Sequence, residues 1–311
     1  MNAIQGLHHI TAMASNPQKN LAFYEKVLGQ RLVKTTVNFD DPGTYHLYYG
    51  DENGSPGTIM TFFPWPHMSK GTTGVGETGA VGYNIPSGSY DYWMQRLQES
   101  DLSPVAGDIR FGQKTIRLKD PDGINLELIE SASISSINHW SDGPVAKEVA
   151  IQGFHGVTLW LADVKPTAQL LTEQLGYVED GQEGSRHRFK AASDGAGLYI
   201  DLLETPELPL GKFGAGSIHH IAFRTVDDEE QGQYLEALRK AGEQVTSVKD
   251  RQYFHSIYFR SPGGVLFEVA TDAPGFEYDE PLASLGQSLK LPAWLEAQRS
   301  QIEAALPALK R

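Results

Sequence analysis

The sequence feature that most constrains the fold is internal repetition. The segment "GLHHIT" (6–11) matches "GFHGVT" (153–158), and "KDPDGINLELIE" (119–130) matches "RSPGGVLFEVAT" (260–271). Both matches span a similar distance along the chain, so they relate two long halves of it. A long repeat period is typical of chains in which equivalent structural units pack on one another. The halves are therefore predicted to be 1–147 and 148–311.

Each half in turn contains two smaller units with the same order of patterns. Short apolar runs such as "HHITAMA", "TYHLYYG" and "VLFEVAT" predict strands. Helical patterns cover 16–29, 89–100, 164–176 and 229–242, and three of these four stretches end in glycine. We therefore predict an α+β fold of four βαβββ modules in two pseudo-repeat halves, in which each pair of modules forms a curved mixed sheet around a central cleft. The end of the chain is predicted to add a C-terminal helix.

Composition excludes several classes of site and partner. The chain has no cysteine, which removes disulfides, thiolate zinc sites, iron–sulfur clusters and cysteine nucleophiles. Any metal must be bound by histidine, carboxylate or water. The formal net charge is −13 and no basic run is present, so nucleic acid is not an expected partner. No signal-like segment and no membrane-length apolar run occurs, and a cytoplasmic protein is expected.

Aligning the four modules reveals two positions of special interest in each. The first-strand positions hold His9, Val81, Gly156 and His220. The last-strand positions hold Thr61, Glu127, Asp201 and Glu268. Because successive strand side chains alternate between faces, His9 and His220 are predicted to share the less apolar face. His8 and His219 are then predicted to point toward the helices.

These positions predict one metal site. A carboxylate between Phe267 and Val269 is costly to bury unless a cation meets it, either a metal or an arginine. Two imidazoles and one carboxylate form the ligand set that suits non-heme Fe(II), with Mn(II) as a close substitute. Taken singly, each of these residues is more often a packed or hydrogen-bonded strand residue. Their matched positions in the repeat favour His9, His220 and Glu268 as metal ligands, and no metal is expected in the other two modules.

The chain resembles the vicinal oxygen chelate superfamily, which includes glyoxalases and extradiol dioxygenases. More narrowly, nearly the whole chain is similar to hydroquinone-type ring-cleaving dioxygenases. The resemblance lies in seven blocks: "GLHHITAMA", "VLGQRLVKTTVNFDDPGTYHLYYGDENGSPGTIMTFFPW", "RFGQKTIRLKDPDG", "EGSRHRFK", "SIHHIAF", "DRQYFHSIYFRSPGGVLFEVATD" and "SLGQSLKLP". It implies the same three metal ligands.

The resemblance also implies roles around the metal. Tyr258, His219 and His8 would be catalytic, and Arg251 and Thr11 would contact substrate. The implied reaction is Fe(II)-dependent extradiol-type cleavage of a hydroquinone or catechol-like ring by O₂, and a homo-oligomer is compatible with such a fold.

Two other functions stay open at this point. A glyoxalase-like isomerase or thiol transferase would commonly add a second carboxylate to the histidines, where this chain has Thr61. A non-catalytic protein could bind a quinone or another small aromatic molecule. Oxygen uptake distinguishes the dioxygenase from both, because neither alternative consumes O₂.

Overall fold

A computed structural model describes residues 2–134 and 136–310, and it contains the four predicted modules. The first comprises β1 (Leu7–Ala14), α1 (Pro17–Leu21, extended by a π-helical turn, Ala22–Val27), β2 (Arg31–Asn38), β3 (Asp41–Gly50) and β4 (Ile59–Pro64). The second comprises β5 (Glu77–Pro86), α2 (Tyr90–Glu99), β6 (Val105–Ala106), β7 (Thr115–Lys119) and β8 (Asn125–Ser131).

The second half repeats this order. The third module comprises β9 (Phe154–Leu161), α3 (Lys165–Gln169, extended by a π-helical turn, Leu170–Gln174), β10 (Val178–Glu183), β11 (Arg186–Lys190) and β12 (Tyr199–Glu204). The fourth comprises β13 (Ile218–Thr225), α4 (Asp228–Lys240), β14 (Lys249–Asp250), β15 (Phe254–Arg260) and β16 (Leu266–Pro274). The chain continues through 3₁₀ turns (Phe276–Tyr278, Leu282–Ser284 and Glu296–Gln298) into α5 (Arg299–Ala305), so the C-terminal helix is present but short.

The strands form two mixed sheets of eight strands, which confirms the predicted fold class. The first sheet has the order β14-β15-β16-β13-β1-β4-β3-β2, and the second has the order β10-β11-β12-β9-β5-β8-β7-β6. The first module therefore shares a sheet with the fourth, and the second shares one with the third. Each sheet takes one module from each half of the chain. The proposed boundary at 147/148 falls between β8 and β9, which belong to the same sheet.

The helices cover one face of the sheets and bury the main core. Tyr24, Trp93 and Tyr234 come from these helical segments and are fully buried among strand side chains. Helix α4 begins after Asp227, whose side chain accepts a hydrogen bond from the Glu230 N–H, as expected of an N-cap. Because the apolar strand residues face the helices, the opposite faces are left to polar and aromatic side chains. No helix among the described residues has the length and apolar character needed to cross a bilayer.

The two central strand pairs are interrupted by β-bulges. In the β1–β13 pair, His9 lies opposite Ala222 and Thr11 lies opposite His220, while His8 and His219 are the extra residues skipped by the register. In the β5–β9 pair the skipped residues are Gly79 and His155. A bulge inserts one residue and re-aims the side chains around it, so strict alternation fails at these positions.

Because of the bulge at Gly79, the structural equivalence of the modules differs by one residue from the alignment predicted from the sequence. Glu268 lies opposite Ala222, two residues after His220, and Glu127 lies opposite Gly82. Ala80 therefore occupies the position equivalent to His220, and the assignment of Val81 to that position was wrong. Val81 is instead buried in the main core with Tyr83 and Trp93.

Candidate metal centre

Three side chains from adjacent strands converge on one point. His9 extends from β1, His220 from β13 and Glu268 from β16. The two Nε2 atoms lie 3.2 Å apart, and Glu268 Oε2 lies 3.4 Å from His9 Nε2 and 2.8 Å from His220 Nε2. All three residues are buried. They form the only group of three or more potential ligands found in 2–134 and 136–310.

The size of this triangle fits a divalent cation. Ligand atoms about 2.1 Å from an ion and at right angles to one another would lie about 3.0 Å apart. The three measured separations bracket that value. The arrangement therefore matches one triangular face of an octahedral coordination sphere and leaves the opposite face to other ligands.

The hydrogen bonding of Glu268 supports the same interpretation. Its Oε1 atom accepts a hydrogen bond from the Ser256 hydroxyl. Its Oε2 atom is buried and makes no geometrically well-formed hydrogen bond with any described residue, and its close neighbours are the Nε2 atoms of His220 and His9. A buried carboxylate oxygen without a partner is strongly unfavourable. A cation bound by the three side chains would satisfy it.

The electrostatics favour the protonation states that a metal requires. Burial lowers the pKa of His220 and outweighs the opposing effect of Glu268, so this imidazole is neutral. Burial alone would raise the pKa of Glu268, but His9 and His220 hold it well below its usual range. A neutral imidazole and an ionised carboxylate are the forms that bind metal ions.

The histidine that precedes each candidate ligand lies within hydrogen-bond distance of it. The Nδ1 atoms of His8 and His9 lie 2.9 Å apart, and those of His219 and His220 lie 2.7 Å apart. If the Nε2 atoms keep lone pairs for a metal, each ligand must donate its Nδ1–H to this neighbour. Such contacts fix the tautomer and the ring orientation of metal-binding histidines. Burial is the main reason that the pKa of His219 falls to about 3, so this acceptor is neutral.

A cavity of about 210 Å³ adjoins His9 and His220. Its walls are largely aromatic: Phe39, Tyr48, Phe63, Trp65, Phe213, Phe254 and Tyr258. This volume lies below the usual range for small-molecule sites, which indicates a ligand of about one ring.

Four of the five residues implied around the metal line this cavity. They are Thr11, His219, Arg251 and Tyr258. The prediction that His219 faces the helices was wrong, because the bulge turns it to the same side as His220. His8 packs against Phe254 and is absent from the cavity lining.

Arg251 and Tyr258 form a polar end of the cavity. Arg251 donates from Nε to the Tyr258 hydroxyl at 3.2 Å and from Nη1 to Asp40 Oδ2 at 3.2 Å. Burial and then the nearby Glu268 raise the pKa of Tyr258, so its phenol stays protonated at neutral pH. The Tyr258 hydroxyl is therefore a proton donor beside the candidate metal position.

A second set of hydrogen bonds adjoins the cavity, and only part of it was predicted from the sequence. Neutral His46 can accept from the Tyr48 hydroxyl at Nδ1 (2.7 Å) and donate from Nε2 to Thr61 Oγ1 (2.8 Å). Thr61 Oγ1 in turn lies 2.9 Å from Thr11 Oγ1. His46 and Tyr48 were missed, although "TYHLYYG" places them on one strand face, because only strand pairing brings them opposite Thr61.

In the second sheet, the carboxylates at the equivalent positions are neutralised by arginines. Glu127, equivalent to Glu268, lies 2.6 Å from Arg110 Nη2. Asp201, equivalent to Thr61, is paired with Arg188 and Arg186. The repeat therefore places histidines around one carboxylate and arginines around the others.

Comparisons with known proteins agree with the fold. The model of the "Glyoxalase/Bleomycin resistance protein/Dioxygenase superfamily" matches residues 6–128 and 153–269. The chain is 46% identical to the Bacillus subtilis (strain 168) protein named "Putative ring-cleaving dioxygenase MhqO", over 97% of this chain and 95% of that protein. It is 34% identical to the "Chlorohydroquinone/hydroquinone 1,2-dioxygenase" of Sphingobium indicum, over 96% of this chain and 95% of that enzyme.

A solved structure shows the same architecture over the whole length. The crystal structure of a "putative dioxygenase" from Bacillus subtilis subsp. subtilis str. 168 superposes with a TM-score of 0.96 and 44% identity, covering 100% of this chain and 99% of that one. Together with the repeated modules and the converging His, His and Glu side chains, these matches show that the chain belongs to the glyoxalase/bleomycin resistance protein/dioxygenase superfamily.

Proposed function

We propose that this protein opens the ring of a hydroquinone or catechol-like compound with O₂, by extradiol-type cleavage at Fe(II) bound by His9, His220 and Glu268. The full-length similarity to named ring-cleaving dioxygenases places the chain among oxidoreductases of that kind. Mn(II) is the alternative ion for the same ligands. The observation that carries the proposal is the buried Glu268 Oε2 atom, which lies beside two Nε2 atoms and has no hydrogen-bond partner among the described residues.

Held by His9, His220 and Glu268, a divalent ion would lower the pKa of a bound phenol and would bind O₂. The protein supplies the remaining requirements. The aromatic walls exclude water and restrict the substrate to about one ring. They also hold the ring in a fixed orientation, which contributes to rate by removing rotational freedom before the reaction.

Two polar groups are positioned to move protons or bind oxygen atoms of the substrate. Tyr258 holds a proton on its hydroxyl and is kept in place by Arg251. His46 links Tyr48 to Thr61, so a proton that His46 gives from Nε2 to Thr61 or to a substrate oxygen can be replaced at Nδ1 from the Tyr48 hydroxyl. Arg251 is also the cavity's cation for a substrate oxygen or an anionic substituent.

The ligand assignment is tested with His220→Ala. We expect this variant to lose bound metal and O₂ uptake while keeping its circular dichroism spectrum, because a carboxylate and one imidazole bind a divalent ion weakly. Metal content is measured on protein purified without added metal, and O₂ uptake is measured on a panel of small hydroquinones. His187→Ala removes a histidine of β11 in the other sheet and should retain both.

The alternatives give different results in the same experiment. An isomerase or thiol transferase would bind metal without consuming O₂, and a binding protein would leave the hydroquinone unchanged. Normal iron or manganese in His220→Ala would reject the ligand assignment. Metal-replete wild-type protein that consumes no O₂ with any member of the panel would reject the dioxygenase proposal.

A further inference from the structure

The cavity of about 210 Å³ beside His9 and His220 is the metal cleft, and the second sheet holds a larger cavity. Its volume is about 680 Å³, within the usual range for small-molecule sites. The residues that line it include Ala80, Glu127 and Thr158, which are the structural equivalents of His220, Glu268 and Thr11. The cavity therefore occupies the same face of the second sheet that carries the metal cleft on the first. The proposed ring cleavage makes no use of it.

Small residues open this space where imidazoles fill the first cleft. Ala80 stands where His220 stands in the other sheet and lines the cavity, whereas Gly156, at the position of His9, packs against the Tyr199 backbone, where a Cβ would be 1.9 Å from the carbonyl oxygen. Gly79 replaces His219, and its missing side chain lets Trp160 lie directly against the backbone, since a Cβ there would be 2.1 Å from the indole nitrogen. The sequence has thus exchanged metal ligands for an open, partly aromatic surface.

The charged side chains paired beside this cavity include one more guanidinium group than carboxylates. Asp201 is already bound by Arg188 through Nε at 2.8 Å and Nη2 at 3.0 Å. Arg186 Nη1 also donates to Asp201 Oδ2 at 3.0 Å, and it donates to Thr158 Oγ1 at 2.8 Å. Because Arg110 pairs with Glu127, three guanidinium groups face two carboxylates.

Arg110 and Arg186, two of the three arginines that line the cavity, are close enough to repel each other. Burial first and then the charge of Arg110 lower the pKa of Arg186. At the rim, Arg117 and Lys119 are balanced by Asp101 and Asp108. The excess positive charge therefore lies inside the cavity, in a protein whose overall charge is strongly negative.

The remaining wall is apolar and partly exposed. It is formed by Leu102, Val105, Trp160 and Leu203, and Val105 is 55% exposed. An apolar wall beside a surplus guanidinium suits a ligand with a flat apolar body and one anionic end. Arginine pairs with carboxylates through two parallel hydrogen bonds, which makes a carboxylate the matching anion.

We propose that this second cleft binds a small aromatic carboxylate, with its carboxylate at Arg186 and Arg110 and its ring against Trp160. The site needs no metal and is separate from the cleft that contains His9, His220 and Glu268. Its ligand class follows from the lining residues and does not depend on the proposed ring cleavage.

The experiment is calorimetric titration of the metal-free full chain with benzoate. We expect one benzoate per chain, and at least tenfold weaker binding of benzamide, which has the same shape without the charge. Arg186→Gln should weaken benzoate binding at least tenfold. Arg239→Gln, an exposed arginine on α4, should leave it unchanged. His220→Ala should also leave it unchanged, which separates this cleft from the metal cleft.

A second variant covers the case in which Arg186→Gln destabilises the fold by disturbing Asp201. Val105→Glu adds a negative charge at an exposed position of the wall and should weaken benzoate binding at least tenfold without affecting the core. Absence of benzoate binding at millimolar concentration would overturn the proposal. Equal binding of benzoate and benzamide, or unchanged affinity in folded Arg186→Gln and Val105→Glu, would also overturn it.

Discussion

At the scale of single residues, the two His-His pairs divide their roles. The second histidine of each pair points into the cluster, and the first lies at a β-bulge and contacts the Nδ1 atom of the second. A neutral acceptor at that position fixes which ring nitrogen carries the proton. Each pair is therefore a candidate ligand together with the group that orients it. Tyr258 is an ionisable group of a different chemistry, and its ring centroid lies 5.7 Å from that of His220.

Replacing Tyr258 with phenylalanine tests its role in proton transfer. We expect kcat to fall by about 10²-fold, because a positioned acid or base contributes roughly that much, while metal content stays normal. Steady-state O₂ uptake measures the change. Tyr253→Phe is the matched control, since the Tyr253 hydroxyl donates to Asp279 at 3.0 Å and the residue does not line the metal cleft. A kcat within twofold of wild type in Tyr258→Phe would remove the residue from the mechanism.

Thr61 is expected to keep one coordination position open. It is the structural counterpart of Glu268 in the first module, because Thr61 lies opposite Thr11 as Glu268 lies opposite Ala222. Thr61→Glu should retain divalent metal more strongly during dialysis against a chelator and should lose most O₂ uptake, because a fourth protein ligand would occupy a position needed by substrate. Thr61→Val, which removes only the hydroxyl, should retain metal as wild type does. Full O₂ uptake in Thr61→Glu would contradict this view.

At the scale of elements, the turn between the last two strands of a module shows how the repeats diverge. In the second module, Asp120 Oδ1 accepts backbone hydrogen bonds from Asp122 (3.0 Å), Gly123 (2.8 Å) and Ile124 (2.8 Å). In the fourth module the equivalent residue is Ser261, whose hydroxyl has no partner among the described residues. The same turn is therefore stabilised by its side chain in one module only.

This difference predicts unequal effects of alanine. Asp120→Ala should lower the free energy of unfolding by about 2–4 kcal/mol, because buried backbone donors lose their acceptor. Ser261→Ala should change it by less than about 0.5 kcal/mol. Urea denaturation followed by circular dichroism measures both values, and equal effects would contradict the assigned role of Asp120.

The same carboxyl group should make stability depend on pH. Burial raises the pKa of Asp120 to about 7, although the Ile124 N–H opposes the shift. The folded state then binds this proton more tightly than the unfolded state, whose aspartate has a pKa of about 3.9. The resulting stabilisation is complete below about pH 4 and is lost as the pH rises through 7. The urea midpoint should fall over this window, and it should fall less in Asp120→Asn.

At the scale of the whole molecule, the candidate ligands connect distant parts of the chain. β1 belongs to the first module, whereas β13 and β16 belong to the fourth, and all three lie side by side in one sheet. A metal ion bound there would join the N-terminal and C-terminal modules. Because the ligands come together only in the folded state, metal binding should stabilise that state.

Metal addition should therefore raise Tm. At a free ion concentration about 100 times Kd the stabilisation is about 2.7 kcal/mol. For a chain of this size that corresponds to an increase of about 5 °C. Differential scanning fluorimetry with Fe(II), under anaerobic conditions, or with Mn(II) measures it. His220→Ala should show no increase, and an equal increase in that variant would show that the stabilising ion binds elsewhere.

Local sequence patterns were enough to predict the modules and the three converging residues. Apolar periodicity, turn residues and the match between the two halves are properties of short segments, and they identified βαβββ units and the fold class. The histidines and Glu268 could be found because the repeat itself shows which positions are equivalent. Two predictions are not tested by the structure: the division of the chain into domains at 1–147 and 148–311, and the formation of a homo-oligomer.

Only the tertiary structure decided how these segments combine. The sequence does not state which modules share a sheet, because strand pairing is a long-range contact whose register depends on both partners. It also does not reveal a bulge, since one extra residue leaves the local pattern almost unchanged while it reverses the side-chain faces beyond it. For this reason His219 lies in the metal cleft, Ala80 replaces Val81 in the alignment, and His46 meets Thr61.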